Sequence, residues 1–141
     1  MPATREELSK VVNDVLNARY DAPVVTIWKR IEISAAHHIP NHPGKCRNPH
    51  GHNYVIEVGI RGPVELETGM VKDFYEVKQD IVDIIDRPCD HKDLNEVYPT
   101  MLTTAENLAT RWLHDLRERD ARYQAVRVFE TSTSWVEVTA W

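Results

Sequence analysis

The residues best suited to chemistry are two histidines, His50 and His52, with a third, His37, thirteen positions before His50. Side chains at positions i and i+2 of an extended strand project from the same face. Three imidazole nitrogens suit a zinc ion, and three neutral ligands leave a coordination position open, as in catalytic zinc sites. We therefore predict that these three histidines bind Zn²⁺ with one position free for a substrate.

Cys46 lies between the first and second of these histidines and leaves two other interpretations open. The three histidines could be ordinary solvated or packed side chains, or Cys46 could complete a closed structural site of one cysteine and three histidines. Its neighbours Lys45 and Arg47 carry positive charge, which stabilises a thiolate, the reactive form of cysteine. A thiolate beside a zinc-bound substrate would act as a general base.

A second polar cluster contains Asp90 and His91. An aspartate that orients a histidine makes a proton donor that works near neutral pH. On spacing alone, a loop turn in which Asp90 caps a helix is equally compatible with this pair.

Glu130 is the third candidate, because it has the parity of Val126 and Val128 in a predicted strand and so points toward an apolar face. A carboxylate in such a place needs a partner. The paired N–H groups of a pterin or guanine ring would supply one in bidentate fashion.

The three histidines depend on a predicted strand pair for their positions. His37 lies at the end of the apolar face of a strand over residues 24–36, and His50 and His52 open the apolar face of a second strand. If the two strands pair antiparallel, the end of the first lies beside the start of the second. All three imidazoles would then converge on one side of the hairpin.

Helical spacing of apolar residues predicts three helices, over residues 5–20, 73–87 and 104–119, and Pro88 is expected to stop the second. The run 103–106 fits a capping box, in which Glu106 would reach back to the start of the third helix. The remaining predicted elements are two strands, residues 123–132 and 134–140.

The element order is therefore an N-terminal helix followed by β-β-α-α-β-β. This order predicts one α+β domain over residues 24–141, with helices on one face of an antiparallel sheet, and a helical extension over residues 1–23. A length of 141 residues agrees with a single domain.

Composition excludes several classes of function. A net charge of −5 offers no general basic surface for nucleic acid. Cys46 and Cys89 stand far apart and do not indicate a disulfide framework, and no apolar segment is long enough to cross a bilayer. We expect a cytoplasmic protein that binds neither nucleic acid nor membrane.

Seven short motifs, in order along the chain, resemble those of a known family. This family comprises the 6-pyruvoyl-tetrahydropterin synthases and their bacterial relatives, the 6-carboxytetrahydropterin synthases of queuosine biosynthesis. The resemblance covers about residues 25–140, and its motifs are highly specific in combination. They are Ser34-Ala35-Ala36-His37, Lys45-Cys46, His50-Gly51-His52-Asn53-Tyr54, Gly69-Met70-Val71-Lys72-Asp73-Phe74, Asp90-His91-Lys92-Asp93-Leu94-Asn95, Thr104-Ala105-Glu106-Asn107-Leu108-Ala109 and Glu130-Thr131.

The resemblance implies the tunnelling fold (T-fold), in which trimers close their sheets into a barrel and two barrels stack as a homo-hexamer. It implies zinc held by His37, His50 and His52. Cys46 would be the catalytic base, with Asp90 and His91 as its proton-relay partners. The residues that the resemblance assigns to the pterin pocket are Glu130, which anchors the ring, with Thr104 and Glu106.

Three residues separate Cys46 from His50, as in the carboxytetrahydropterin branch, whereas the animal-type pyruvoyl synthases have five. This spacing favours conversion of 7,8-dihydroneopterin triphosphate to 6-carboxy-5,6,7,8-tetrahydropterin, with release of acetaldehyde and triphosphate. The alternative within the family is formation of 6-pyruvoyl-tetrahydropterin. Two features depart from the family pattern: Ile33 stands where phenylalanine is usual, and the helix over residues 5–20 is an extension.

Overall fold

The computed structural model describes residues 1–19 and 21–140, with the side chains of residues 17–19 left aside. A 3₁₀ turn, Lys45–Arg47, lies between the first two strands, and a π-helical segment, Val82–Asp86, joins α2 to α3. The elements in chain order are α1 (Arg5–Arg19), β1 (Val24–His37), β2 (His50–Pro63), α2 (Phe74–Ile81), α3 (Arg87–Cys89), β3 (Lys92–Asp93), α4 (Leu94–Val97), α5 (Ala105–Arg119), β4 (Tyr123–Thr131) and β5 (Ser134–Thr139).

The sheet has five strands in the order β3-β1-β2-β4-β5. The two long strands β1 and β2 form an antiparallel hairpin whose register runs from Val24↔Pro63 to His37↔His50. The predicted all-antiparallel sheet needs one correction, because β3 pairs parallel with the end of β1 at Ala35 and Ala36. A strand of two residues shows no alternation, so the sequence pattern could not reveal it.

The core lies between the helices and one face of the sheet. The alternating residues of β2 that include Tyr54 are fully buried, and they pack with the apolar stripes of α2 and α5. The core positions with the largest fully buried side chains include Tyr54, Ile56, Ile81, Leu108, Trp112 and Tyr123. The other face of the hairpin carries polar residues, such as Arg30 and Glu57, which form an ion pair of 2.6 Å.

The second predicted helix is longer and less regular than expected. Pro88 does not stop it, because the π-helical segment interrupts the helix and places Pro88 at the start of α3, where its missing N–H is not needed. Phe74, which shares the helical spacing of the apolar residues that predict this helix, is 53% exposed. Asp73 caps this helix by accepting a hydrogen bond from the Tyr75 N–H at 2.8 Å.

The N-terminal extension is a helix, as predicted, although position 20 of the predicted range lies outside the described residues. A reciprocal capping box starts it: Thr4 N–H donates to Glu7 Oε2 (2.8 Å) and Glu7 N–H donates to Thr4 Oγ1 (3.1 Å). Its apolar stripe is between 46% and 58% exposed and belongs to no part of the described core. The stripe residues are Leu8, Val11, Val12, Val15 and Leu16.

Among the described helices, none has the length and apolar character that a membrane crossing requires.

Candidate metal centre and active site

The hairpin brings the three candidate histidines together. His37 pairs with His50 in the β1–β2 register, and Ala35 pairs with His52, so all three imidazoles project from the core-facing side at one end of the hairpin. Their ring centroids are 4.6 Å (His37–His50), 5.1 Å (His37–His52) and 4.9 Å (His50–His52) apart. One nitrogen from each ring lies within 4.8 Å of the others. This is a group that could hold a single metal ion.

Hydrogen bonds on the far side of two rings leave their other nitrogens free for a ligand. His37 Nδ1 lies 2.8 Å from the Thr103 carbonyl oxygen, and His50 Nδ1 lies 2.8 Å from the Asn48 carbonyl oxygen. A carbonyl oxygen only accepts, so Nδ1 carries the proton in both rings and Nε2 presents a lone pair. This tautomer is the one that a metal-binding histidine with an outer hydrogen-bond acceptor adopts.

The free nitrogens support a metal ion on a second ground. His37 Nε2 and His52 Nε2 are buried and have no hydrogen-bond partner among the described residues. A buried polar atom without a partner costs about 1–3 kcal/mol, so native proteins rarely leave one unpaired. Burial also lowers the pKa of His37, which keeps the ring neutral and able to bind a cation. The residues present therefore fit a divalent metal ion.

Cys46 lies in the 3₁₀ turn of the loop between the two strands, and its carbonyl oxygen accepts a hydrogen bond of 2.7 Å from Ile39 N–H. The side chain is partly exposed. In the described part of the chain, the cluster of possible metal ligands contains the three histidines and not Cys46. The geometry thus corresponds to an open arrangement of three nitrogens.

Asp90 and His91 form a pair at the point where α3 meets β3. His91 Nδ1 lies 2.9 Å from Asp90 Oδ2, and Asp90 Oδ1 accepts a hydrogen bond of 2.9 Å from Ser34 N–H. That backbone N–H, followed by His91, lowers the pKa of Asp90 and holds it as a carboxylate. Asp90 also occupies the C-cap position of α3, so the pair and the cap predicted as alternatives occur together.

His91 adopts a left-handed backbone conformation (φ 59°), and its side chain is 80% exposed. It borders a groove of about 540 Å³ whose lining includes Ser34, Ala36 and Asn53 together with His52, one of the candidate ligands. Ser34, Ala36 and Asn53 alternate with the candidate ligands along β1 and β2, so their side chains point to the opposite face of the sheet. Among the described residues, the side-chain partner of His91 is Asp90, and no hydrogen bond or ion pair joins His91 to the three histidines.

Glu130 is brought to the cluster by β4. It lies one position beyond the last β2–β4 pair, Val55↔Phe129, and its Oε2 is 3.8 Å from His52 Nε2. The carboxylate is about one-third exposed and so remains open to a ligand.

The start of α5 lies beside the same cluster, because Thr103, the residue before its cap, supplies the carbonyl oxygen for His37. Thr104 is the N-cap and accepts a hydrogen bond of 3.2 Å from Asn107 N–H. The predicted capping box is therefore wrong in its register, since Asn107 and not Glu106 occupies the third helical position. Glu106 is exposed in the first turn of the helix.

Sequence reasoning missed three residues of this region: Tyr54, Asn95 and Thr103. Tyr54 is fully buried, its ring centroid is 5.3 Å from that of His52, and its hydroxyl has no hydrogen-bond partner among the described residues. Burial and the charge of Glu130 raise the pKa of Tyr54, so the phenol stays protonated. Tyr54 does continue the parity of His50 and His52, which was the available signal, whereas Thr103 stood out only as the first residue of the predicted capping box.

Comparison with known proteins agrees with this fold and site. The profile of the family described as 6-pyruvoyl tetrahydropterin synthase matches residues 26–140. The chain therefore belongs to the 6-pyruvoyl tetrahydropterin synthase family, a class of tetrahydropterin synthases, and α1 precedes the matched region.

Two relatives and one solved structure are informative. An Archaeoglobus fulgidus protein provisionally named 6-carboxy-5,6,7,8-tetrahydropterin synthase is 40% identical over 106 residues, which cover 75% of this chain and 88% of that protein. A Drosophila melanogaster 6-pyruvoyl tetrahydrobiopterin synthase is 38% identical over 102 residues, covering 62% and 61%. The structure of Caenorhabditis elegans 6-pyruvoyl tetrahydropterin synthase superposes with a TM-score of 0.79 at 28% identity, covering 86% of this chain and 99% of that one. The fold is the T-fold, as predicted.

Proposed function

We propose that this protein is a zinc-dependent lyase that converts 7,8-dihydroneopterin triphosphate to 6-carboxy-5,6,7,8-tetrahydropterin, with release of acetaldehyde and triphosphate, the reaction that serves queuosine biosynthesis. The observation that carries this proposal is the cluster of His37, His50 and His52, in which two buried Nε2 atoms have no partner among the described residues. Membership of the tetrahydropterin synthase family narrows the substrate to a pterin.

Zinc is the ion that the donor set favours, because three imidazole nitrogens in a partly buried site suit its tetrahedral geometry and soft-to-borderline character. His37, His50 and His52 would hold it. A bound zinc ion would supply a Lewis acid that acidifies the side-chain hydroxyls of the substrate.

Glu130 is proposed to anchor the pterin ring. Its carboxylate can accept two parallel N–H bonds from the guanidine-like edge of a pterin, the bidentate geometry that also joins arginine to carboxylates. Because Glu130 lies 3.8 Å from His52, a ring held there would extend its side chain toward the three histidines. Thr104 and Glu106, at the start of α5, would line the same pocket.

Proton transfer is assigned to Cys46 as the base and to His91, oriented by Asp90, as the partner that returns a proton. Asp90 fixes His91 through the 2.9 Å contact and is itself held by Ser34 N–H. Because His91 is 80% exposed and, among the described residues, no hydrogen bond or ion pair joins it to the histidine cluster, we propose that it completes the site of a neighbouring copy. This arrangement requires an oligomer, and the proposed hexamer of two stacked trimers provides one.

The test of the reaction is incubation of the zinc-loaded protein with 7,8-dihydroneopterin triphosphate, followed by assays for acetaldehyde and for the pterin product. We expect acetaldehyde and 6-carboxy-5,6,7,8-tetrahydropterin in equal amounts. Cys46→Ala should retain zinc and lose most turnover. Full activity of that variant would show that another group is the base.

The 6-pyruvoyl product is the second candidate, since the Drosophila relative that matches this chain carries the name of a pyruvoyl synthase. That product keeps all three side-chain carbons, so release of triphosphate without acetaldehyde would identify it. The carboxy product is favoured by the three residues that separate Cys46 from His50, a spacing that resembles the carboxytetrahydropterin branch.

A closed zinc site without catalysis would show itself in the reactivity of Cys46. A thiolate bound to zinc is protected from an alkylating reagent, whereas a free base beside an open site reacts. We expect rapid alkylation of Cys46 in the zinc-loaded protein.

The shared site is tested by mixing two inactive variants, Cys46→Ala and His91→Ala, before reassembly. If each site takes these residues from two different chains, about one quarter of the sites in a random 1:1 mixture carry both intact residues, and activity returns. If both residues act within one chain, the mixture stays inactive. His114→Ala is the matched control, because His114 is also an exposed histidine beside an aspartate, Asp115, at 3.2 Å.

A further inference from the structure

We infer that Asn95 is a positioning residue of the three-histidine centre: its carboxamide fixes the backbone next to His37 and also Thr103, whose carbonyl oxygen accepts the hydrogen bond from His37. This inference rests on the proposed metal site. It concerns the tautomer and orientation of one ligand, and both can be measured without catalysis.

The first contact of Asn95 is with the backbone that follows His37. Asn95 Oδ1 accepts a hydrogen bond of 3.0 Å from His38 N–H, and Asn95 Nδ2 donates one of 2.9 Å to the His38 carbonyl oxygen. The side chain thereby satisfies both main-chain groups of the residue after β1, as a neighbouring strand would. It continues the short β3–β1 pairing at Ala35 and Ala36.

The second contact of Asn95 leads to the imidazole itself. Thr103 Oγ1 donates a hydrogen bond of 3.0 Å to Asn95 Oδ1, and the Thr103 carbonyl oxygen lies 2.8 Å from His37 Nδ1. Thr103 is fully buried and His37 is 2% exposed, so water does not compete for these groups. The Asn95 carboxamide thus binds both the backbone of His38, next to His37, and Thr103, whose carbonyl oxygen orients the His37 ring.

Only an asparagine side chain provides this combination at this reach. Its oxygen accepts two hydrogen bonds while its nitrogen donates a third. A carboxylate could not donate the third hydrogen bond, and an aliphatic side chain could form none of the three. The Asn95 backbone is fixed in turn, because its N–H donates to Asp93 Oδ1 at 3.0 Å. The carboxamide is therefore pre-oriented before any metal binds.

His50 offers a contrast that explains why His37 needs this support. The acceptor for His50 Nδ1 is the Asn48 carbonyl oxygen, two residues earlier in the exposed loop that leads into β2. The acceptor for His37 lies 66 residues away in sequence, on the segment before α5. A local turn can therefore orient the His50 ring, whereas only a tertiary contact can orient the His37 ring.

The experiment compares Asn95→Ala with Asn107→Ala. Asn107 Nδ2 also holds the segment before α5, through a 2.9 Å bond to the Leu102 carbonyl oxygen, but it is exposed and does not contact Thr103. Zinc affinity is measured by competition with a chromophoric chelator. The protonated nitrogen of His37 is measured in the metal-free protein by ¹⁵N NMR of the histidine rings.

In the wild type we expect a proton on His37 Nδ1. Asn95→Ala should weaken zinc binding by about 10–100-fold, the effect typical of losing a residue that orients a metal ligand, and should mix the two His37 tautomers. Asn107→Ala should leave the zinc affinity within about twofold of the wild type and the proton on His37 Nδ1. Equal zinc affinity and an unchanged tautomer in Asn95→Ala would overturn the inference.

A second pair of variants covers the case in which Asn95→Ala does not fold. Thr103→Val removes the hydroxyl that binds Asn95 and keeps the carbonyl oxygen, whereas Thr103→Ser keeps both. We expect weaker zinc binding and tautomer mixing only in Thr103→Val, and identical behaviour of the two variants would refute the inference. If the wild type itself binds no zinc, the proposed function fails, while the NMR comparison still decides the role of Asn95.

Discussion

The unpaired hydroxyl of Tyr54 allows a prediction with an unusual sign: Tyr54→Phe should stabilise the metal-free protein. The side chain is fully buried, and its hydroxyl has no hydrogen-bond partner among the described residues. Burying such a group without a partner costs about 1–3 kcal/mol, and phenylalanine keeps the ring while removing the cost. We therefore expect the free energy of unfolding to rise by roughly 1 kcal/mol or more.

Tyr98→Phe is the matched control, because Tyr98 is also a buried tyrosine but its hydroxyl is bonded. Tyr98 OH accepts a 2.8 Å hydrogen bond from Trp112 Nε1 and lies 3.4 Å from Cys89 Sγ. Its removal leaves the buried indole N–H without an acceptor, so this variant should lose about 1–3 kcal/mol.

The assay is urea unfolding of both variants and the wild type after treatment with a chelator, at one fixed protein concentration, since any oligomer couples stability to concentration. Opposite signs for the two variants are the expected result. A loss of about 1 kcal/mol in Tyr54→Phe would show that the hydroxyl has a partner, such as an ordered water, and would refute this reasoning. Such a hydroxyl can be retained because it lies beside the candidate metal ligands, where a lower stability of the fold is accepted in return for ligand binding.

Four other predictions concern three regions of the molecule. Lys72→Met should destabilise the fold by about 3 kcal/mol, because Lys72 lies 2.8 Å from Asp80 and 3.0 Å from Asp120 in a buried network. The control Lys78→Met, at an exposed position, should have no measurable effect in the same unfolding assay. The guanidinium of Arg122 and the ammonium of Lys72 hold the pKa of Asp120 well below its usual range. The stability that results is present above about pH 4 and is lost as the pH falls through the lowered pKa. Lys72→Met should therefore unfold at a higher pH than the wild type in an acid titration. Glu130→Gln should raise the KM for the pterin substrate by about 10-fold or more while zinc content is unchanged, since an amide cannot accept two parallel N–H bonds, and an unchanged KM would remove Glu130 from the pocket. Deletion of residues 1–23 should change the free energy of unfolding of the remaining domain by less than about 1 kcal/mol, because the described part of α1 contributes nothing to the core. Loss of folding after this deletion would show that the domain needs the extension.

The strand pair and the approach of the three histidines could be predicted because both depend on alternation. His37 shares the core-facing parity of Ile33, and His52 shares that of Tyr54, so an antiparallel hairpin leaves them one place to meet. The long amphipathic helix α5 was equally predictable from its buried stripe, although the predicted capping box placed its cap one residue too early, at Thr103.

The features that could not be predicted depend on tertiary contacts. Asn95 binds His38 across 57 positions of sequence, and Thr103 contributes through its carbonyl oxygen, a group that every residue possesses. Parity also could not assign His91 to a face, because a residue with a positive φ interrupts the alternation there. The stripe of α1 has the spacing of a buried helix and yet stays exposed in the single chain, because spacing predicts amphipathic character and not the partner that covers it.

The six residues from Asp90 to Asn95 grip β1 on both sides of His37, one end through Ser34 and the other through His38. The proposed proton-transfer pair and the proposed support of a candidate metal ligand thus lie in one short bracket, residues 90–95. An insertion or deletion of a single residue within that bracket would pull the two functions out of alignment together. Evolutionary change of substrate or chemistry in this scaffold is therefore expected to proceed by replacing side chains on the bracket while its length stays fixed.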